Sequence, residues 1–239
     1  MTAEEMGREF DLLYNNIMSN AAPGIDEYEK SVFLTKAQEQ LVTAIYDGTF
    51  EGSEKLRECI NPLVTTDFAD TKTGEGNIKS ITGKQGLDKN SKFFELPDNA
   101  WYILYEDLSP ISDDECEGSR RVLVKPIKLD EYYKVCRNPF RKARKSEALR
   151  LNTEGIIEVI STYSDYKYNV RYLIKPNPIL ICSDASIYGT IPPTIDGVAI
   201  TAAAATPNPY DCELLEALHR PIVEAAVSLA IAAYKSTNQ

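Results

Sequence analysis

Tyr-Asn-Val-Arg-Tyr-Leu-Ile-Lys-Pro-Asn-Pro-Ile-Leu-Ile-Cys, residues 168 to 182, decides the predicted fold. Val170, Tyr172 and Ile174 fall on one face of an extended segment, as in a β-strand with one buried face. The Pro-Asn-Pro corner then redirects the chain into a short apolar run, Ile179–Cys182. We therefore expect the core strand and corner of an α+β domain. None of these side chains is an obvious nucleophile, base or metal ligand.

Length and net charge limit the classes of function that the protein can have. The 239 residues can bury one domain core together with a helical annex. The 26 Lys and Arg residues against 36 Asp and Glu give a net charge of −10, which disfavours long-range attraction to nucleic acid or anionic membranes. The acidic start lacks the pattern of a signal peptide, and the most apolar stretch, 222–233, is too short to span a bilayer. No membrane partner is expected.

Catalytic and metal-binding patterns are missing from the sequence. The chain has no G-x-S-x-G, H-E-x-x-H or C-x-x-C motif, and the single histidine, His219, precedes Pro221 at a predicted helix start, where packing or capping is the expected role. We therefore predict a protein that is not an enzyme, with no catalytic residue, cofactor or metal. The cysteines are expected to be reduced thiols of a protein made inside a cell; they are Cys59, Cys116, Cys136, Cys182 and Cys212.

The N-terminal quarter carries helix signals. Capping boxes at Thr2–Glu5 and Thr35–Gln38 predict two helices, the first ending near residue 20, and a third, shorter helix is predicted from Ser53. Residues 1–64 are therefore predicted to form a helical annex. Residues 65–91 contain many Thr, Lys, Asp and Gly and few apolar side chains, which predicts a flexible loop or arm.

Strand patterns follow in close succession through the rest of the chain. They are Lys92–Leu96, Ala100–Leu108, Arg120–Ile127, Ala148–Leu151, Ile156–Tyr163, Val170–Ile174 and Ile179–Cys182. Their short spacing leaves little room for parallel crossovers, so we predict a mainly antiparallel sheet of about six to seven strands. Together with a C-terminal amphipathic helix, 209–235, this sheet would form a β-rich core domain, residues 92–239. The predicted fold class is α+β.

Two loops carry opposite charge. The acidic loop contains Asp113, Asp114, Glu115 and Glu117, and the basic loop contains Arg137, Arg141, Lys142, Arg144 and Lys145, with Arg150 close behind. Three interpretations of the basic loop remain open: a solvated loop, a contact with an acidic surface on a neighbouring protein, and contact with DNA phosphates. The negative net charge disfavours the third.

Several stretches of the chain resemble a virion structural protein of crAss-like bacteriophages, a ring-forming connector of the neck or tail. The resemblance covers nearly the whole chain and is carried by Glu4–Ile17, Asp26–Glu39, Asn138–Arg141, Arg171–Leu180, Ile195–Val198, and Cys212–Leu214 with His219. These motifs are structural rather than catalytic. The loop 65–90 and the alanine run 202–205 lie outside the resemblance.

The resemblance implies a ring subunit that connects the portal to the tail and continues the DNA channel. Such rings close by head-to-tail contacts, in about twelve copies. The implied partners are further copies of the chain, the portal protein, adjacent ring proteins, and genomic DNA that passes without sequence-specific contact. The implied location is the virion, after synthesis in the bacterial host cytoplasm. The subunit would do no chemistry: it would help to seal the filled head, transmit load and pass DNA at ejection.

In such a ring, the basic loop of one copy could meet the acidic loop, Asp113–Glu117, of the next. Two alternatives from other classes remain. One is a DNA-handling accessory protein that uses the basic loop, 137–150, to contact phosphates. The other is an enzyme whose site gathers scattered cysteines, His219 and carboxylates, which no pattern in the sequence favours.

Overall fold

The computed structural model describes residues 1–18, 24–50, 56–111, 120–153, 155–189 and 191–237. Within these ranges the α-helices are α1 (Ala3–Met18), α2 (Glu27–Asp47), α3 (Tyr132–Arg137) and α4 (His219–Thr237). The strands are β1 (Val64–Asp70), β2 (Lys79–Ile81), β3 (Ser91–Glu95), β4 (Ala100–Pro110), β5 (Val122–Pro126), β6 (Glu147–Thr153), β7 (Ile156–Ile160), β8 (Tyr166–Ile174), β9 (Thr194–Ile195) and β10 (Val198–Ala199). Short 3-10 helices cover Arg57–Leu63, Leu129–Glu131, Ala185–Tyr188, Ile200–Ala204 and Glu216–Leu218. The predicted α+β class is confirmed.

The chain divides into two compact units. The helical unit comprises Met1–Leu63 and Lys175–Gln239, and the β-unit comprises Val64–Ile174. This division differs from the predicted domains, because the C-terminal helix belongs with the N-terminal helices and not with the sheet. The physical reason is the wide apolar stripe of α4, which packs against both α1 and α2.

The ends of the helices depend on local chemistry. The Thr2–Glu5 capping box is present, with the Glu5 amide donating to Thr2 Oγ1 at 3.2 Å. The predicted start of the C-terminal helix at residue 209 is wrong, since α4 begins at His219. Proline lacks an N–H and is tolerated only in the first turn of a helix, so Pro221 fixes the start close to its own position. The start predicted at Ser53 and the end predicted near residue 20 lie outside the described residues.

The capping box predicted at Thr35–Gln38 is wrong. α2 begins eight residues earlier, where Asp26 Oδ1 accepts from the Glu29 amide at 2.7 Å and the Glu29 carboxylate accepts from the Asp26 amide at 3.2 Å. Thr35 and Gln38 lie in the buried interior of the helix. There Gln38 donates its side-chain amide to the Asn177 carbonyl at 2.9 Å. The polar residues that suggested a cap therefore serve tertiary contacts.

Polar side chains of α2 also hold the segment Ile179–Cys182, which was predicted to be a strand. The segment is buried, but it has no strand partner among the described residues. Instead, Thr35 Oγ1 accepts from the Ile179 amide at 3.1 Å, and Ser31 Oγ accepts from the Ile181 amide at 2.9 Å. Buried backbone N–H groups need acceptors, and helix side chains supply them here in place of a neighbouring strand.

The main sheet of the β-unit has, within the described residues, the strand order β1-β8-β4-β5-β6-β7-β3-β2. Its pairings are antiparallel, as predicted, except that β5 and β6 run parallel. The connection between these two strands contains α3 and is long enough for a parallel crossover. The arm predicted at 65–91 instead contains most of β1 and all of β2, so the sheet has eight strands where about six to seven were predicted.

The eight-stranded sheet closes on itself. The Ile78 amide donates to the Phe68 carbonyl at 3.2 Å, and the Asp70 amide donates to the Glu75 carbonyl at 2.7 Å, so the segment leading into β2 also pairs with β1. One buried apolar cluster takes side chains from β1 and from each strand β3 to β8, together with Ile78 just before β2. Hydrogen bonding around the full circuit and a shared interior define a small β-barrel.

The barrel interior contains ionisable groups. Glu106 is only 5% exposed, and its carboxylate contacts Arg150 Nε at 3.1 Å and accepts from the Tyr168 hydroxyl at 2.7 Å. Burial raises the pKa of Glu106, while the nearby Arg150 opposes that shift. In a second pair, the Tyr172 hydroxyl donates to Asp67 Oδ2 at 2.5 Å. Asp67 explains why β1 was not predicted: its polar residues face a polar part of the interior.

We expect Arg150→Met to lower the free energy of unfolding by about 3 kcal/mol, because Glu106 would remain buried without its cation. Adding Glu106→Leu should recover most of that loss. Lys125→Met, which removes a half-exposed partner of Glu147, should change it by less than about 1 kcal/mol. Urea denaturation followed by circular dichroism measures all three. Equal losses for the Arg150 and Lys125 variants would contradict the assignment of a buried pair.

We expect Thr35→Val to lower the free energy of unfolding by about 1–3 kcal/mol, because valine has the same shape but cannot accept from the Ile179 amide. Ser228→Ala is a suitable control, since the Ser228 hydroxyl is exposed and donates only to the carbonyl of Glu224 one turn earlier. This control should stay within about 0.5 kcal/mol of the unchanged protein. A Thr35→Val variant as stable as the control would show that the Ile179 amide finds another acceptor.

Candidate functional site

The basic loop follows α3 and leads into β6, so it belongs to the parallel crossover of the β-unit. Asn138 shapes its first turn: its side-chain oxygen accepts from the Phe140 amide at 2.9 Å, and its carbonyl accepts from the Arg141 amide at 3.0 Å. Asparagine favours such turns because its side chain can bond the backbone two residues on. The turn presents Phe140 and Arg141 to solvent.

Two of the predicted cations, Arg144 and Arg150, contact carboxylates within the chain. Arg150 points into the barrel and pairs with Glu106. Arg144 contacts Glu147 at 2.8 Å, and Lys125 contacts the other oxygen of the same carboxylate at 2.7 Å. The hydrogen bonds from Lys125 and then Arg144 hold the pKa of Glu147 below its usual value. These two arginines therefore help to fix the base of the loop.

The remaining predicted cations are exposed: Arg137, Arg141, Lys142 and Lys145. Large apolar side chains stand among them, with Tyr133 71% and Phe140 78% exposed and Leu129 also exposed. We call this region, residues 128–146, the α3 surface. Arginine and aromatic side chains are enriched at protein interfaces, and an aromatic ring in water is unfavourable unless a partner covers it. The sequence predicted the cations of this surface but not its apolar centre.

A cleft of about 440 Å³ opens beside the α3 surface. Its lining includes Tyr132, Cys136, Leu149 and Ile160, with Lys142 at the basic loop. Burial raises the pKa of Tyr132 well above its ordinary value, and its hydroxyl donates to the Leu87 carbonyl at 3.3 Å. The Tyr132 hydroxyl therefore stays protonated near neutral pH and lines the cleft as an uncharged group. Asp88, Asn90, Ser161 and Thr162 also line the cleft, so it combines apolar and polar contacts.

The acidic residues predicted for inter-subunit contact lie outside the described residues; they are Asp113, Asp114, Glu115 and Glu117. The strands that flank the two charged loops are nevertheless informative. β5 and β6 are parallel, with Leu123 opposite Glu147, so both begin at the same end of the barrel. The chain enters β5 from the acidic loop and β6 from the basic loop, so both loops join the barrel at this end.

The negative charge of the chain is unevenly distributed between the units. The helical unit contains 18 acidic and 8 basic residues, for a net charge of −10, whereas the β-unit contains 18 of each and is neutral. The net charge of the whole chain therefore did not reveal the difference in net charge between the two units. Charge counts over segments of the sequence could have found this difference, once the unit boundaries were known.

The thiols and the histidine are in structural positions. Burial raises the pKa of Cys212 to about 11 and also raises that of Cys182, so neither forms a reactive thiolate near neutral pH. Cys116 lies outside the described residues. His219 is buried, with Nε2 2.9 Å from the Leu214 carbonyl and Nδ1 3.0 Å from the Met1 amine, which fits the predicted packing role.

The described residues contain no group of three or more His, Cys, Asp or Glu side chains placed to hold a metal ion. In the same ranges, every helix is too short or too polar to cross a membrane. The most developed surface feature is therefore the exposed α3 surface with its adjoining cleft.

Comparison with known proteins identifies the family. The family described as phage tail ring protein 3/4 matches residues 1–239. The chain belongs to this family. Ring protein 3 of Bacteroides phage crAss001 is 36% identical over 241 residues, which cover 97% of this chain and 95% of that protein. Ring protein 4/5 of the same phage is 35% identical over 248 residues, which cover all of this chain and 96% of that protein. The resemblance to ring proteins of crAss-like phages is confirmed.

Because the chain belongs to a ring protein family, a role of the exposed aromatic residues in contacts between copies can be tested. We expect Tyr133→Ser and Phe140→Ser to change the free energy of unfolding by less than about 0.5 kcal/mol, because both side chains are exposed. The same substitutions should reduce self-association, measured by analytical ultracentrifugation. Leu151→Ser is the contrasting control, because Leu151 is buried beneath α3 and its loss should destabilise the fold. Unchanged self-association in both aromatic variants would exclude the α3 surface as a contact between copies.

Proposed function

We propose that this protein is a non-enzymatic structural protein of the virion. It would be the subunit of one ring of the phage neck or tail, and that ring would connect the portal to the tail and line the DNA channel. The observation that carries the proposal is the family match over the whole chain, together with two full-length relatives that are both ring proteins. The number of copies expected in such a closed ring is about twelve. The subunit would be made in the host cytoplasm before assembly.

Contacts between copies in a closed ring are heterologous, so each subunit needs two different surfaces that complement each other. We propose that the basic loop supplies one of them and that its cations attract the acidic loop, Asp113–Glu117, of the next copy. Arg137, Arg141 and Lys142 are the main candidates, because Arg144 already contacts Glu147. Charge pairs at the rim of an interface act mainly on the rate and specificity of association.

The charge distribution supports a ring through which DNA slides without being bound. The helical unit, with a net charge of −10, would repel phosphates, and a channel wall that repels DNA lets it slide during ejection. Binding that depends on base sequence is not expected, because specific readout needs side chains fitted to base edges.

One observation favours a second candidate function. The α3 surface combines exposed cations with exposed aromatic rings, and this combination also suits single-stranded nucleic acid. A DNA-handling accessory protein would bind DNA with an affinity that falls steeply as salt rises. Titrating the purified protein with DNA at low and high salt tests this candidate, and the absence of salt-dependent binding would remove it.

Quantitative mass spectrometry of purified, DNA-filled particles tests the ring proposal directly. We expect this chain to be present in a ratio of about one to one with the portal protein, and to remain after washing at high salt, because a closed ring holds its subunits by many contacts. Capsid proteins, which should remain after the wash, and a host protein of similar abundance, which should be removed by it, serve as controls. Absence from the particle, or loss on washing, would contradict the proposal.

A further inference from the structure

We infer that the α3 surface of one copy receives the segment around Ile187 and Ile191 from the helical unit of the next copy. The inference rests on the proposed ring function, since it describes how neighbouring copies in such a ring meet. It adds an apolar contact to the proposed attraction between charged loops. Both sides of the contact lie on described residues of the chain, apart from residue 190.

The receiving side has the features of a binding hot spot. Tyr133 and Phe140 are exposed, and the exposed cations Arg137, Arg141 and Lys142 lie within a few residues of them in the chain. Most of the binding energy of an interface comes from a few aromatic and arginine anchors of this kind, provided that a partner excludes water from them. The adjoining cleft of about 440 Å³ gives an inserted aliphatic side chain room to lose its contact with water.

The inserting side is the most exposed apolar feature of the helical unit. Among its described residues, Ile187 is 70% and Ile191 is 90% exposed, more than any other large apolar side chain of the unit. The segment is anchored: Asp184 Oδ1 accepts from the Ser186 amide at 2.9 Å, and Tyr188 packs against a buried cluster. An anchored protrusion loses little conformational freedom on binding, which favours affinity.

The charges on the two sides are complementary. Asp184 lies at the start of the protruding segment, and the amide of neighbouring Ser183 donates to the Glu27 carboxylate at 3.1 Å, which places a second acidic side chain beside it. The receiving side carries Arg137, Arg141 and Lys142. The acidic loop, 112–118, could supply charge to these cations, but its sequence Ser-Asp-Asp-Glu-Cys-Glu-Gly contains no large apolar side chain to cover Tyr133 and Phe140.

Photo-crosslinking in assembled rings tests the inference. Full-length protein with p-benzoylphenylalanine at position 140 is mixed with isotope-labelled protein that lacks it, the mixture is assembled and irradiated, and crosslinked peptides are identified by mass spectrometry. We expect adducts that join position 140 of one copy to residues 184–193 of an isotope-labelled copy. In assembled rings, adducts elsewhere only, adducts only within one copy, or none would overturn the inference and leave the ring function standing. Failure of the unchanged protein to form rings or enter particles would contradict the proposed function instead.

Substitutions on the inserting side provide a second test with a matched control. Ile187→Lys combined with Ile191→Lys should abolish ring assembly, because two new positive charges would face an apolar surface that already carries Arg137, Arg141 and Lys142. Leu12→Lys alters a side chain of α1 that is 66% exposed and should leave assembly unchanged. Circular dichroism and urea denaturation verify that both variants fold. Ring assembly by the double isoleucine variant at an unchanged protein concentration would overturn the inference.

Discussion

The barrel depends on three tyrosine hydroxyls that β8 brings into its interior. A buried hydroxyl needs a hydrogen-bond partner, and Tyr166, Tyr168 and Tyr172 find theirs in the Val159 carbonyl, the Glu106 carboxylate and the Asp67 carboxylate. The carboxylate of Glu106 in turn needs Arg150, because an ion buried without a partner strongly destabilises a fold. β8 pairs with both β1 and β4, and these two strands carry the acidic residues that its hydroxyls need, Asp67 and Glu106.

The same requirement explains which parts of the fold were predictable. β8 carries apolar or aromatic residues at alternate positions, and β3 to β7 are short runs rich in apolar or aromatic residues, so their existence could be predicted from these patterns. β1 contains Asp67 where an apolar residue would have marked a buried face, so its sequence suggested a loop. The segment Ile179–Cys182 has the composition of a strand, but the amides of Ile179 and Ile181 donate to Thr35 and Ser31 of α2 and the Leu180 amide donates to the Tyr210 carbonyl. Sequence periodicity does not distinguish such partners from a neighbouring strand.

The candidate site was predictable in position but not in composition. A run of cations between two strand patterns indicated an exposed loop, and the loop is exposed. The sequence could not reveal that Arg150 turns into the barrel, because that depends on closure of the sheet. Nor could it reveal that Tyr133 and Phe140 remain in solvent, since aromatic residues are more often buried than exposed.

The similar identity to ring protein 3 and ring protein 4/5, 36% and 35%, shows that overall similarity does not separate the two kinds of ring. A difference between them has to be sought in surface residues such as these.

The discontinuous helical unit also sets an order of events on the ribosome. α1 and α2 are synthesised before the β-unit, but α4, against which both pack, is synthesised after it. The β-unit lies between them in the chain and is contiguous, so it can complete its own hydrogen bonding while the C-terminal residues are still inside the exit tunnel. A nascent chain stalled before His219 would therefore carry a finished barrel and two helices with exposed apolar faces. Because α4 completes a unit that was begun before the β-unit, a chain that stops before His219 leaves the helical unit unfinished.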